Sequence, residues 1–363
     1  MNELETKLSA IQNLLAKHGL DALLLNRASS FAWATCGASS YINTASSDGL
    51  ASLLITPKGR YLLTTNIEAT RLVNEEKLAE QGWEVQANPW HEAPMDIPTL
   101  INGMKLGADS PVAGAVDLSG EMSRLRAALL PEEVERFRHL GRICAEAMNN
   151  AIRSIRPGMT EYEIAGRLAL EAESRGAQAI VNLIATDERI YQYRHPLPTA
   201  KKLEKYALVV LCGRWKGLVC SITRLVHFGR LPDELRRKME AVAKIDATFI
   251  MATRPGARLC DVFQKAVDTY ASAGFAEEWR LHHQGGPAGY EPREFIATPS
   301  VTDTVLVGQA FAWNPSITGC KSEDTLIVGA IENEVLTTIP GWPEVQVTVD
   351  GKTYTRPAIL EMI

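Results

Sequence analysis

No stretch of this 363-residue chain is apolar for long enough to span a membrane, and no block of lysine and arginine interrupts the mixed charges that sum to −5. The first absence excludes a transmembrane helix, which needs about 20 consecutive apolar residues. The second makes nucleic acid an unexpected partner. The six cysteines, at 36, 144, 212, 220, 260 and 320, show no Cys-x-x-Cys spacing. That points to reduced thiols in a cytoplasmic protein, packed rather than catalytic. The first residues read as a helix rather than as a secretion signal. There Leu4, Leu8, Ile11 and Leu15 recur three or four residues apart with charges between them, which predicts an amphipathic helix ending near Gly19.

What is present is an ordinary globular composition, 46% apolar and 22% charged, sufficient for a real core. Asp21–Asn26 reads as a buried strand. Leu50–Thr56 and Arg60–Thr65 read as a hairpin about Pro57-Lys58-Gly59, Thr70–Gln81 as a helix, and 107–118 as small strands and turns. The stretch Ser119–Leu129 is expected to be weakly structured. Leu130-Pro131-Glu132-Glu133 then opens a long helix, with proline at its first turn and acids behind it. These signals predict an α/β (α+β) protein with a small domain over residues 1–125 and a larger one over 130–363.

The larger part repeats itself. LPEE at 130–133 opens a helix that stops at Arg156-Pro157-Gly158, and LPDE at 231–234 opens one that stops at Arg254-Pro255-Gly256. A second helix follows each stop. The first of these carries a capping box, Thr160 with Glu163, and the other runs from about Cys260 to Gly274. Strands come next, Tyr206–Cys212 and Leu218–Phe228 in one copy, Gln309–Trp313 and Thr325–Gly329 in the other. Half-repeats over about 130–230 and 231–340 can pair their sheets under a layer of helices, with a site where the sheets converge.

RPGMTEYEIA (156–165), RHPLPT (194–199), GLVCSITRLVHFG (217–229) and KSEDTLIVG (321–329), in this order, resemble the pita-bread superfamily of methionine aminopeptidase, aminopeptidase P, prolidase and creatinase. The resemblance covers nearly the whole chain. It implies a creatinase-type N-terminal domain, a pita-bread domain with a pseudo-twofold repeat, and a homodimer in which the loop Tyr41–Gly49 reaches toward the partner. In the peptidases it also implies two metal ions held by two aspartates, a histidine and two glutamates. Cations about 4 Å apart repel and need that much negative charge. The matching positions here hold Val210, Ser221, Gly286, Asn314 and Glu323, so the expectation is no metal and no cofactor. A shifted alignment would make His282 or His283 the ligand histidine, without restoring the aspartates.

Creatinase-like members need no metal. By that resemblance His195 is the proton-transfer residue, suited by an imidazole pKa of roughly 6.5, and Glu323 binds positive charge, with Asp324 adding to it. Arg293 falls where the peptidases have a second histidine, and an arginine there suits a substrate carboxylate. His282, His283 and Tyr290 share its loop, Glu294 adjoins it, and Arg224 follows the strand residue Thr223. The set fits a small zwitterionic substrate cleaved at a C–N bond. Plainer readings stand beside these. Glu294 can pair with Arg293, Arg224 can serve a structural carboxylate, and either Arg293 or Arg224 can neutralise Glu323. A chain of this kind can also be a binding module without catalysis.

Overall fold

Both helix pairs of the repeat form where their start and stop signals lie. Pro131–Ser154 opens at its proline. Glu161–Glu173 opens at Thr160, whose hydroxyl accepts from the Glu163 N–H while the Glu163 carboxylate accepts from the Thr160 N–H, a reciprocal cap. The second pair is Asp233–Ala252 and Leu259–Ser272. A computed structural model describes residues 2–93 and 95–363. By backbone proximity the chain divides into two compact units. One is Met1–Glu132 with Lys216–Leu218; the other is Glu133–Trp215 with Val219–Ile363.

The first unit is a six-stranded sheet in the order Glu84–Asn88, Gly59–Thr65, Asp48–Thr56, Ala22–Arg27, Leu106–Ala108, Val116–Asp117. Its first helix, Glu3–His18, is boxed by Asn2 and Glu5 and closed by Gly19 in the left-handed region, as glycine allows. It buries Ile11, Leu14 and Leu15. Two expectations fail here. The helix expected over 70–81 is Asn66–Asn74, and Lys77 at a φ of 58° turns the chain soon after it, a conformation no helix interior holds. The quiet stretch 119–129 is helical over Ser119–Ala127. Asp117 accepts from the Ser119 N–H at its start, and Met122 and Arg126, four apart, are buried. The loop 41–47 forms no helix or strand and is mostly exposed.

The second unit has two four-stranded sheets. Gln178–Thr186, Tyr206–Trp215, Leu218–Phe228 and Leu360–Met362 make one; Gly285–Ala288, Ala310–Trp313, Asp324–Ile327 and Glu334–Val335 make the other. A single bridge, Thr223 to Glu323, joins their inner strands. Under it Phe249 stacks on Trp313 with centroids 4.4 Å apart, and the Trp313 indole donates to Thr253 Oγ1. The repeat reading stopped at 340, but the chain continues as a hairpin, Glu344–Val349 with Lys352–Pro357, and ends with Leu360–Met362 parallel to Leu218–Phe228. Among the described residues no helix is long and apolar enough to cross a membrane.

Candidate active site

Strand alternation sends neighbouring residues to opposite faces, and the segment Lys321-Ser322-Glu323-Asp324 at the seam follows that rule. Glu323 faces one way with Lys321. Its Oε2 accepts from Lys321 Nζ at 2.8 Å and from the Thr223 hydroxyl at 2.6 Å, and its Oε1 accepts from Arg293 Nη2 at 2.8 Å. Burial alone would raise the Glu323 pKa, but Lys321 and Arg293 overcome it and hold the carboxyl well below the usual range. Arg293 also donates from Nη1 to Ser221 Oγ, which lies 3.2 Å from Cys212 Sγ. Burial pushes the Cys212 thiol up to about 11, so it is a packing group rather than a nucleophile.

Asp324 faces the other way. It accepts from Arg224 Nη2 at 2.8 Å and from the Thr337 hydroxyl, and Arg356 bridges it to Asp246. Asp246 also accepts from the Ser322 hydroxyl. The expectation that Asp324 and Arg224 would serve the site is therefore corrected: they form a buried ionic network on the far face. Glu323 as a receptor for substrate cations is corrected too, since both its oxygens are taken by this chain's own donors. Of the two arginines able to neutralise it, Arg293 does so.

The turn His282-His283-Gln284-Gly285-Gly286 is built around Gln284, 1% exposed, whose amide donates to the carbonyls of His282 and Trp279 and whose Oε1 lies 2.8 Å from the Tyr270 hydroxyl. Gly285 has a φ of 104°, and a Cβ there would meet the Ala312 carbonyl oxygen at 2.1 Å, so only glycine fits. A Cβ at Gly286 would meet Phe295 O at 2.5 Å and Ala297 N at 2.9 Å. Across from the turn, Arg194 is anchored by Glu278 at 2.6 Å and by Thr318 Oγ1 at 3.0 Å, and this fixes His195 beside it.

Three imidazoles meet as a result. His195 Nε2 lies 2.9 Å from His282 Nε2, the two rings nearly perpendicular, and His283 stacks on His282 at 4.4 Å. All three present ring nitrogens within 4.8 Å of one another, a spacing at which they could hold one metal ion. Nδ1 of His282 and of His283 is buried without a partner. Burial, then Lys321, lowers His282 to about 2; burial, then Arg293, lowers His283 to about 4; His195 is lowered by the same causes as His282. At neutral pH the trio is uncharged, so one N–H is shared across the 2.9 Å contact.

Both low values lie below the roughly 6.5 of an unfolded histidine. The folded state therefore binds fewer protons than the unfolded one in the window below 6.5, and stability is lost as pH falls from there toward 4. The expected result is a denaturation midpoint that drops across that window and drops less in His283→Gln. Identical slopes for the two proteins would refute it.

The remaining expected site residues lie elsewhere. Tyr290, 2% exposed, directs its hydroxyl to Glu133 at 2.6 Å, and Glu294 accepts from the Tyr290 N–H rather than pairing with Arg293. Both hold the loop and leave the substrate role to others. Val210 is buried in the core, and Asn314 is buried with its Oδ1 unpartnered. Lys321 was missed by sequence reasoning. Its signal was its place two residues before Glu323 in a strand, which puts both side chains on one face.

The model of metallopeptidase family M24 matches residues 135–338. The chain belongs to this family. An uncharacterized peptidase of Staphylococcus aureus (strain MW2) is 22% identical over 246 residues, 66% of this chain and 68% of the relative. The fold of this M24 protein is that of the Xaa-Pro dipeptidase from Bacillus anthracis, with a TM-score of 0.80 at 19% identity over 99% of this chain and 100% of that one. The prolidase from Pyrococcus horikoshii OT3 superposes with a TM-score of 0.77 at 19% identity, covering 93% and 99% of the two chains.

Proposed function

We propose that this M24 hydrolase cleaves a C–N bond of a small substrate without a metal ion, using His195 to move the proton. The observation that carries this reading is the His195–His282 contact of 2.9 Å beside a carboxylate already neutralised by protein cations. A neutral imidazole accepts a proton from water as its oxygen bonds to the substrate carbon. The same proton then passes to the departing nitrogen as the C–N bond breaks. Arg293 is the anion-binding residue of the reading, and the protein acts in the cytoplasm as a homodimer. The cationic end of a zwitterion loses its proposed receptor with Glu323.

The family name implies metal, and the donors present do not fit a pair of dications. Val210 and Gly286 carry no ligand atom, and the Ser221 hydroxyl is held by Arg293. Asn314 is neutral, and Glu323 is held by two cations. The backbone around Gly286 closes the space a histidine there would need. The three-histidine cluster is the one other donor set for a single ion among the described residues, and Lys321 and Arg293 oppose positive charge at it. Incubation with manganese, cobalt or zinc followed by desalting and metal analysis is expected to leave far less than one equivalent per chain. Two bound equivalents would overturn the reading and direct the search to dipeptides with proline in second position. One equivalent lost in His283→Gln would place the ion at the histidines and overturn it equally.

A further inference from the structure

The seam buries more positive than negative charge. Lys321 and Arg293 each have side chains 7% exposed, and Glu323 is the single carboxylate between them. The nearest acidic neighbour in sequence, Asp324, is consumed on the opposite face by Arg224 and Arg356. One unit of buried positive charge is left, and an uncompensated buried charge is strongly unfavourable. Donors are left with it. Arg293 uses two N–H groups of Nη1 and one of Nη2, while its Nε–H is buried without a partner. Lys321 Nζ is paired with Glu323 Oε2 and carries three N–H donors in all. The same two cations bear on His282 and His283, so the unspent charge lies beside the proposed proton-transfer groups.

We infer that Lys321 and Arg293 form a carboxylate-binding site, that the substrate is an acid, and that Glu323 braces the two cations. The inference rests on the metal-free reading above and names its substrate class. The planar guanidinium with a free Nε–H matches a two-oxygen, singly charged group. A doubly charged phosphate would exceed the one charge left over.

The test uses the full chain, freed of metal with chelator, and follows the imidazole NMR signals of its seven histidines at constant ionic strength. Sodium acetate is the probe; inorganic phosphate, guanidinium chloride and zinc chloride are the comparisons. Acetate is expected to shift His195, His282 and His283 saturably and to leave His18, His91, His139 and His227 in place. Arg293→Gln and Lys321→Gln should each weaken acetate binding at least about tenfold, which is about 1.4 kcal/mol, and Lys321→Arg should restore it. Circular dichroism checks that each variant folds, and the Lys321→Arg comparison stands even if Lys321→Gln does not. Saturation by guanidinium in place of acetate, tighter binding of phosphate than of acetate, or acetate shifts unchanged in both Gln variants would each overturn the inference. Acetate binding needs no turnover. Stoichiometric zinc at the trio would defeat the metal-free reading, whereas loss of acetate binding in a metal-free, hydrolytically active protein would defeat this inference alone.

Discussion

Asp324→Ala is expected to lower the free energy of unfolding by about 3–5 kcal/mol, the scale for removing one partner of a buried ion pair. The side chain accepts from Arg224, Arg356 and Thr337, and all four residues are at most 5% exposed. Its removal leaves one guanidinium with carbonyl partners only and the other with Asp246 alone. Asp246 is held above the usual carboxylate range, chiefly by burial and partly by the Asp324 charge, against the pull of Arg356, so the substitution relieves Asp246 and the cost falls on the stranded Arg224. Against a typical total of about 5–15 kcal/mol, such a loss is large. Asp324→Asn keeps the shape and removes the charge, and a loss close to that of alanine is expected from it. Denaturant midpoints measure both. A loss below about 1 kcal/mol, the range of exposed pairs, would show that the network is not under strain from burial.

His195→Ala is expected to reduce kcat by about 10²–10⁴-fold, the usual contribution of a positioned acid–base group, with little change in stability because the side chain is exposed. The measurement is amine release from small carboxylate-bearing C–N compounds in the presence of chelator. His195→Gln preserves a hydrogen bond to His282 without the ability to cycle a proton, and it should be as slow as alanine. Unchanged kcat in both variants would remove His195 from the chemistry. A rise in KM alone would reassign it to binding.

Local signals were legible where a single turn of chain decides the outcome. The Thr160–Glu163 box, the proline at 131 and the glycine after His18 each set an element end. The C-terminal hairpin was equally legible, through Asp350-Gly351 with φ of 48° and 75° between alternating strands, but it lies outside the two half-repeats. The helix Ser119–Ala127 was less visible because its burial comes through Met122 and the buried stem of Arg126, not through an apolar stripe. At the site, residue types were readable and partners were not. His195 and His282 meet across 87 positions, and Tyr290 meets Glu133 across 157. A lone glutamate in a sheet reads as a receptor for positive charge until Lys321 and Arg293 are found on its two oxygens.

The closed backbone at Gly286 also bears on descent. A chain with this turn gains nothing from a single change to histidine, because the segment 295–297 would have to withdraw first. Val210, Ser221 and Asn314 would each need replacing by a carboxylate, and Lys321 and Arg293 would need to leave, before two dications had a home. No single one of those replacements supplies the donors for two dications, and Gly286 is blocked until its neighbours move. On the metal-free reading proposed above, the turn is a one-way barrier: a two-metal site would need the 295–297 backbone and several side chains to change together.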